Sequence, residues 1–223
     1  MRVVEIFKSI DGEGIRAGLP TTFIRLFGCN LHCSYCDTRY GCEGNDYITM
    51  SVREIVEECH RLEVESITIT GGEPLIHEGI ESLIEQLLFD GFWVNIETNG
   101  TIDPYKFVQK SLACKYLGDG NLFFTMDYKS PSSGMNDKMD LANFRSLKRY
   151  DVLKFVVGSY EDLDKAIGVL DELKTTANVY FSPVFGEIEP KTIVEYILQH
   201  KLYDCKVQLQ MHKVIWPVDK RGV

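Results

Sequence analysis

Three cysteines fall close together, Cys29, Cys33 and Cys36 in the stretch GCNLHCSYCDT (28–38), while Cys42, Cys59, Cys114 and Cys205 are scattered. Thiolates are soft donors suited to zinc or to iron-sulfur clusters, and a loop this short can wrap only a compact metal centre. A structural zinc site would call for four protein ligands. His32 is sandwiched between two of the cysteines and Cys42 lies beyond a turn-like stretch from Arg39 to Gly41, so three thiolates with one open position is the better geometric fit. An open iron in a 4Fe-4S cluster can bind and activate a small molecule, whereas a closed four-cysteine cluster mainly transfers electrons. The rival from another class is a non-catalytic zinc or electron-transfer module that recruits one more ligand.

Other polar motifs could share such a centre. In TGGEP (70–74) two glycines expose backbone, and Glu73 could accept hydrogen bonds from an ammonium group, although Gly-Gly and Pro also make an ordinary turn. DYKSPSSG (127–134) offers Ser130 and Ser132, which a capped surface turn explains nearly as well. Arg25, between Ile24 and Leu26 on an otherwise apolar run, needs a partner, and its planar fork suits a carboxylate. Glu13 in DGEG (11–14) could accept hydrogen bonds from a guanidine-like edge or simply face solvent. Thr38 reads as a turn or helix cap, Thr70 as a strand end, and His212 as a solitary histidine.

Something must hold these residues together. Seven apolar runs, at 21–28, 66–70, 92–98, 122–128, 151–157, 178–184 and 206–212, have the β-branched and aromatic character of buried parallel strands. Helical periodicity lies between them, as at Val52, Ile55, Val56, Cys59 and Leu62, at Ile80–Leu88, at Leu163–Leu173 and at Ile193–Leu202. Cys59 falls on one such apolar stripe and reads as core. The alternation predicts βαβ units and an α/β fold, either an incomplete TIM-type (β/α) barrel or a doubly wound open sheet. Both put active sites at the carboxyl ends of strands. The cysteine loop, TGGEP, ETNG (97–100) and DYKSPSSG each follow a strand run, which predicts one cavity mouth.

At 223 residues and 44% apolar, the chain suits one domain spanning 1–223. Charges at Glu5 and Lys8 break up the first apolar run, so no signal peptide or membrane span is expected there and the protein should be cytoplasmic. A net charge of -9 argues against a broad nucleic-acid face.

The spacing C-x3-C-x2-C after the first parallel strand, with Tyr35 before the last cysteine, resembles the radical S-adenosylmethionine (SAM) enzymes. That family implies a 4Fe-4S cluster on Cys29, Cys33 and Cys36, with SAM chelating the open iron. It also implies SAM contacts from Tyr35, Asp37, Gly72, Glu73, Ser130 and Ser132. DGEGIRAGLPTTFIRLFGCNLHCSYCDT, continued by TGGEP, DYKSPSSG and QLQMHK (208–213), more narrowly resembles the 7-carboxy-7-deazaguanine synthases. These are lyases that convert 6-carboxy-5,6,7,8-tetrahydropterin to 7-carboxy-7-deazaguanine with loss of ammonia, on the route to queuosine. This resemblance implies Mg2+ on Thr38 and substrate contacts from Ile10, Asp11, Gly12 and Glu13, together with Arg25, Thr70 and His212. Asp11 stands where that family usually has Gln. A homodimer with one cluster per subunit and a flavodoxin or ferredoxin type reductant are implied as well. The rival within the superfamily is an activating enzyme for a glycyl-radical partner, which shares the cysteine spacing.

Overall fold

The computed structural model describes residues 1–105, 120–218 and 220–223. Cys114 lies outside them. All seven expected strands form, and they pair in parallel in the order in which they occur in the chain: β2 (Pro20–Leu26), β4 (Ser66–Gly71), β5 (Trp93–Thr98), β6 (Leu122–Tyr128), β7 (Val152–Val157), β8 (Asn178–Pro183) and β9 (Cys205–Val207). Two further strands extend the β2 edge. β1 (Arg2–Ile10) runs antiparallel to β2, and the two-residue β3 (Ile48–Thr49) runs antiparallel to β1. Sequence reading missed both. The sheet order is β3-β1-β2-β4-β5-β6-β7-β8-β9, an open nine-stranded sheet whose outermost strands are not bonded to each other. This is the incomplete (β/α) barrel.

The helices form because their apolar stripes match a buried face. Helix Val52–Leu62 buries Ile55, Val56, Cys59 and Leu62, so Cys59 is core as expected. Its start is fixed by a capping box: the Ser51 hydroxyl accepts from the Glu54 amide at 3.3 Å and Glu54 accepts from the Ser51 amide at 2.7 Å, a device worth about 1 kcal/mol. Helices Ile80–Phe89, Tyr160–Leu173 and Pro190–Gln199 bury Leu83 and Leu87, Leu163 and Val169, and Ile193 and Ile197 in the same way. The core they share with the sheet includes Ile24, Ile69, Ile96, Phe124, Phe155 and Phe181.

Since side chains alternate across a strand, the residues between those apolar positions face the other way, and there they are polar. Thr68 and Thr70 on β4, Asn95 and Glu97 on β5, Thr125 and Asp127 on β6, Lys154 on β7 and Ser182 on β8 are all buried or half-buried. Arg25 is paired in register with Thr70, Glu97 with Thr125, and Asp127 with Lys154. An inner face this rich in hydrogen-bonding groups suits a ligand cavity more than a packed core.

The run 206–212 departs from expectation. Only Cys205–Val207 pairs with β8, with one further bond from the Gln208 amide to the Phe181 carbonyl at 3.0 Å, after which the chain leaves the sheet and turns into the short helix Met211–Ile215. His212 therefore sits on a helix and not at the end of a strand.

Candidate active site

A cavity of about 760 Å³ opens at the carboxyl ends of the strands. Cys29, Cys33 and Cys36 lie on its wall together with Tyr35, Asp37 and Thr38. The same cavity is lined by Ile10, Asp11, Gly12, Glu13, Arg25, Thr70 and His212. Most of the residues selected from the sequence are thus brought to one space.

The cysteine loop is held from two sides. On one side, the backbone of Gly72 packs on the strand end that leads into Cys29: a Cβ at Gly72 would lie 2.0 Å from the Gly28 carbonyl oxygen. The Gly72 amide donates to Leu26 at 3.0 Å and the Glu73 amide to Gly28 at 2.8 Å. On the other side, the amide of Ser34 donates to the carbonyl of Ser133 at 3.0 Å and its hydroxyl to the carbonyl of Ser132 at 2.5 Å.

Three of the expected SAM contacts do not line the cavity in this structure. Glu73 is fully buried behind the cavity wall, where its carboxylate accepts from the Leu75 amide (3.0 Å), the Thr98 hydroxyl (2.8 Å) and the Asn99 amide (2.6 Å). Burial pushes its pKa up to about 7. Ser130 and Ser132 likewise do not line the cavity. Ser130 is buried with an unpartnered hydroxyl, and the Ser132 amide and hydroxyl are turned toward Asp162 (2.8 Å) and Ser159 (3.4 Å). All three brace the loops that do line it.

Cys42, which sequence reading left without a role, also lines the cavity. Its thiol beside them pulls the Cys29 and Cys36 thiols each down to about 6. Among the described residues, no three His, Cys, Asp or Glu side chains converge as the ligands of a single metal ion. A polynuclear cluster spreads its ligands more widely, and three soft thiolates on one wall fit that group. N–H donors on Cys29 fit it too: the Leu31 amide lies 3.4 Å and the Asn99 side-chain nitrogen 3.6 Å from its sulfur, as expected around a cluster thiolate.

The cavity also holds a charge network that sequence reading only partly caught. Glu13 accepts from Lys154 (3.1 Å), the Ser182 hydroxyl (2.9 Å) and the side-chain amides of Gln208 (3.1 Å) and Gln210 (3.5 Å). Burial would raise its pKa, but Lys154 and His212 outweigh burial and hold it below the usual carboxylate range. Lys154 is buried in β7; burial alone would discharge it, and Glu13 and Asp127 keep it charged. Asp127 in turn pairs with Lys129 at 2.8 Å. Lys154, Asp127, Lys129 and Glu97 were not selected from the sequence. A signal existed for Lys154, a lone cation inside VLKFVV, by the same reasoning that singled out Arg25.

Arg25 has found the partner its setting demands, Glu5 of β1, which takes its Nε at 2.7 Å. Thr70 donates to Glu97 at 2.8 Å. Asp11 is buried beside Arg16, 3.9 Å away, and accepts from the Thr68 hydroxyl at 3.3 Å. Burial and the neighbouring Glu97 raise its pKa to about 7. His212 packs so closely on Gly12 that a Cβ there would lie 2.5 Å from its Nδ1, and burial lowers its pKa. Asp37 is paired with Lys213 at 2.9 Å. The Thr38 hydroxyl lies 3.8 Å from the Cys36 sulfur. The end of the chain, including Val218, Arg221 and Val223, lines the mouth, with Arg221 stacked 3.8 Å over Tyr40 and bonded to Asp46 at 3.0 Å.

Known proteins resemble this chain. The sequence model of the Radical SAM superfamily matches residues 23–197. A 7-carboxy-7-deazaguanine synthase of Clostridium acetobutylicum is 44% identical over 226 residues, covering 100% of this chain and 99% of its own length. One from Methanospirillum hungatei is 39% identical, covering 96% of this chain and 85% of its own. Among solved structures, QueE from Escherichia coli superposes with a TM-score of 0.74 at 22% identity, over 95% of this chain and 94% of that one, a likeness of fold.

Proposed function

The chain belongs to the radical SAM superfamily and, within it, to the 7-carboxy-7-deazaguanine synthases, and we propose that its cavity turns 6-carboxy-5,6,7,8-tetrahydropterin into 7-carboxy-7-deazaguanine with release of ammonia. It is a radical SAM lyase of deazapurine biosynthesis. The observation that supports the assignment to this cavity is that three thiols and the Glu13, Arg25 and His212 array line the same space.

Cys29, Cys33 and Cys36 would hold the 4Fe-4S cluster and leave one iron for SAM. Bound there, the cluster would supply one-electron reduction of SAM, the chemistry that starts hydrogen abstraction from substrate. The protein's own residues orient the two reactants. Exposed backbone at Gly71 and Gly72 meets the amino acid end of SAM, with Glu73 bracing that loop from behind. Tyr35 and Asp37 lie beside it. Glu13, held ionised, takes the guanidine-like edge of the pterin, and Arg25 receives the substrate carboxylate on the guanidinium edge that Glu5 leaves free. Asp11, Thr70 and His212 complete that array. Thr38 offers one neutral oxygen to Mg2+, which retains water readily.

A cytoplasmic homodimer acting as one catalytic unit per chain, reduced by a flavodoxin or ferredoxin, completes the proposal. The family resemblance supports it, and no helix among the described residues is long and apolar enough to cross a membrane. The test is anaerobic reconstitution with iron and sulfide, then reductant, SAM, Mg2+ and the carboxytetrahydropterin, with mass spectrometry of the products. The deazaguanine and 5'-deoxyadenosine should both appear. Cleavage of SAM without the deazaguanine would remove the substrate assignment, and zinc in place of iron and sulfide would overturn the whole reading.

A further inference from the structure

We infer that Asn99 is a positioning residue that tunes the iron cluster by hydrogen bonding to one of its thiolates, Cys29. The inference rests on the cluster reading above and concerns a residue with no role in it so far.

Asn99 follows the last residue of β5 and is 6% exposed. Its amide group has only one sensible orientation. Its Oδ1 accepts from the Thr101 backbone amide at 3.0 Å and from the Thr101 hydroxyl at 2.7 Å. A backbone N–H can only donate, so the atom facing it must be the oxygen. The nitrogen then points the other way, placing one hydrogen on Asn30 Oδ1 at 2.8 Å and the other toward the Cys29 sulfur at 3.6 Å. Asn30 closes the ring by donating to the Thr101 hydroxyl at 2.8 Å. Every donor and acceptor of the Asn99 side chain is used, so the group cannot turn away. Its backbone amide is fixed independently, by the buried carboxylate of Glu73.

A hydrogen bond to a cluster thiolate withdraws electron density from it and favours the reduced, more negative state. With the Leu31 amide, Asn99 gives Cys29 two N–H donors. Removing one should make the cluster harder to reduce. The bond exists in both redox states, so only its strengthening on reduction moves the midpoint, by up to about tenfold in the reduced-to-oxidised ratio, or about 59 mV for a one-electron couple.

Asn99→Asp keeps the acceptor for Thr101 and replaces the donor by an oxygen facing the sulfur; Asn99→Ala removes the group. Both keep the backbone amide on Glu73. Each reconstituted holoenzyme, without SAM or substrate, is titrated potentiometrically, with the reduced cluster followed by electron paramagnetic resonance and iron and sulfide counted. The expected result is wild-type iron and sulfide with a midpoint shifted negative in both variants, at least as far for Asp as for Ala. Unchanged midpoints would overturn the inference while leaving the cluster reading intact. Loss of the cluster in both variants would also overturn it, making Asn99 a structural support for Cys29. Absence of iron from the wild-type protein would instead overturn the cluster reading itself.

Discussion

Lys154→Met tests whether the buried charges hold each other in place. The ammonium lies 3.1 Å from Glu13 and 4.0 Å from Asp127, and the Lys154 and Glu13 side chains are only 10% and 12% exposed. Methionine fills most of the same volume, so the change removes charge with little loss of packing. Breaking one partner out of a buried pair costs about 3–5 kcal/mol, because the other charge stays behind. Glu13 would keep Ser182, Gln208 and Gln210 as neutral donors, which places the cost near the lower end, about 3 kcal/mol. For a chain of this size that corresponds to a fall in Tm of about 6–12 °C. Urea and thermal unfolding of the reconstituted protein measure it, and Glu13→Gln with the double variant completes a double-mutant cycle. Coupling should be strong, with Glu13→Gln restoring much of what Lys154→Met loses. Losses below about 1 kcal/mol that simply add would refute the reasoning and show the cavity to be wet enough to solvate either charge alone.

Replacing any one of Cys29, Cys33 or Cys36 by Ala should abolish both cluster loading and SAM cleavage, whereas Cys42→Ser should keep the full iron and sulfide count. If Cys42→Ser lost the cluster, Cys42 would be a fourth ligand and no iron would be open. Thr38→Ala should weaken the rate response to added Mg2+ with iron content unchanged; an identical Mg2+ dependence would remove Thr38 from the site. Asp11 carries a pKa of about 7 in the folded chain against an ordinary value near 4, so the folded state binds the proton more tightly. Its contribution is complete below about pH 4 and is lost as pH rises through about 7. Asp11→Asn should therefore stabilise the protein at pH 8, by an order of a few kcal/mol, and flatten its stability between pH 5 and 8; an unchanged profile would show that Asp11 is ionised at little cost.

The parallel strands were legible because strands buried on both faces read as nearly unbroken apolar runs, and seven such runs became seven strands. β1 was not read as a strand: RVVEIFKSI mixes charges with apolar residues, as befits a strand largely half-buried near one edge. The last run failed for another reason. Its period continues through Gln208 and Gln210, but those amides leave the sheet to reach Glu13, a partner close to two hundred residues away. The cysteine cluster was legible because three thiols fall in one short loop, which the fold brings to the cavity. Glu73, Ser130 and Ser132 show the limit of such reading. A motif at a strand end marks which loop meets the cavity, while the turn within that loop decides whether a side chain points into the cavity or behind it. Glu97 and Asp127 acquire meaning only when adjacent strands bring Thr70 and Lys154 beside them.

The order of the cavity's residues along the chain also orders its assembly during synthesis. The cysteine loop and Gly72 are encoded in the first hundred residues, although that loop is closed by the later carbonyls of Ser132 and Ser133. Glu13 precedes all of it, yet its partners at Lys154, Ser182, Gln208 and Gln210 come 141 to 197 residues later. At translation rates of about 5–20 residues per second, the cysteine loop is made on the order of ten seconds before the last of those partners. The loop and the Glu13 carboxylate both wait on later residues, and loss of the final stretch of chain from Gln208 onward would strip the Lys213 pair from Asp37 and the Gln208 and Gln210 amides from Glu13 together.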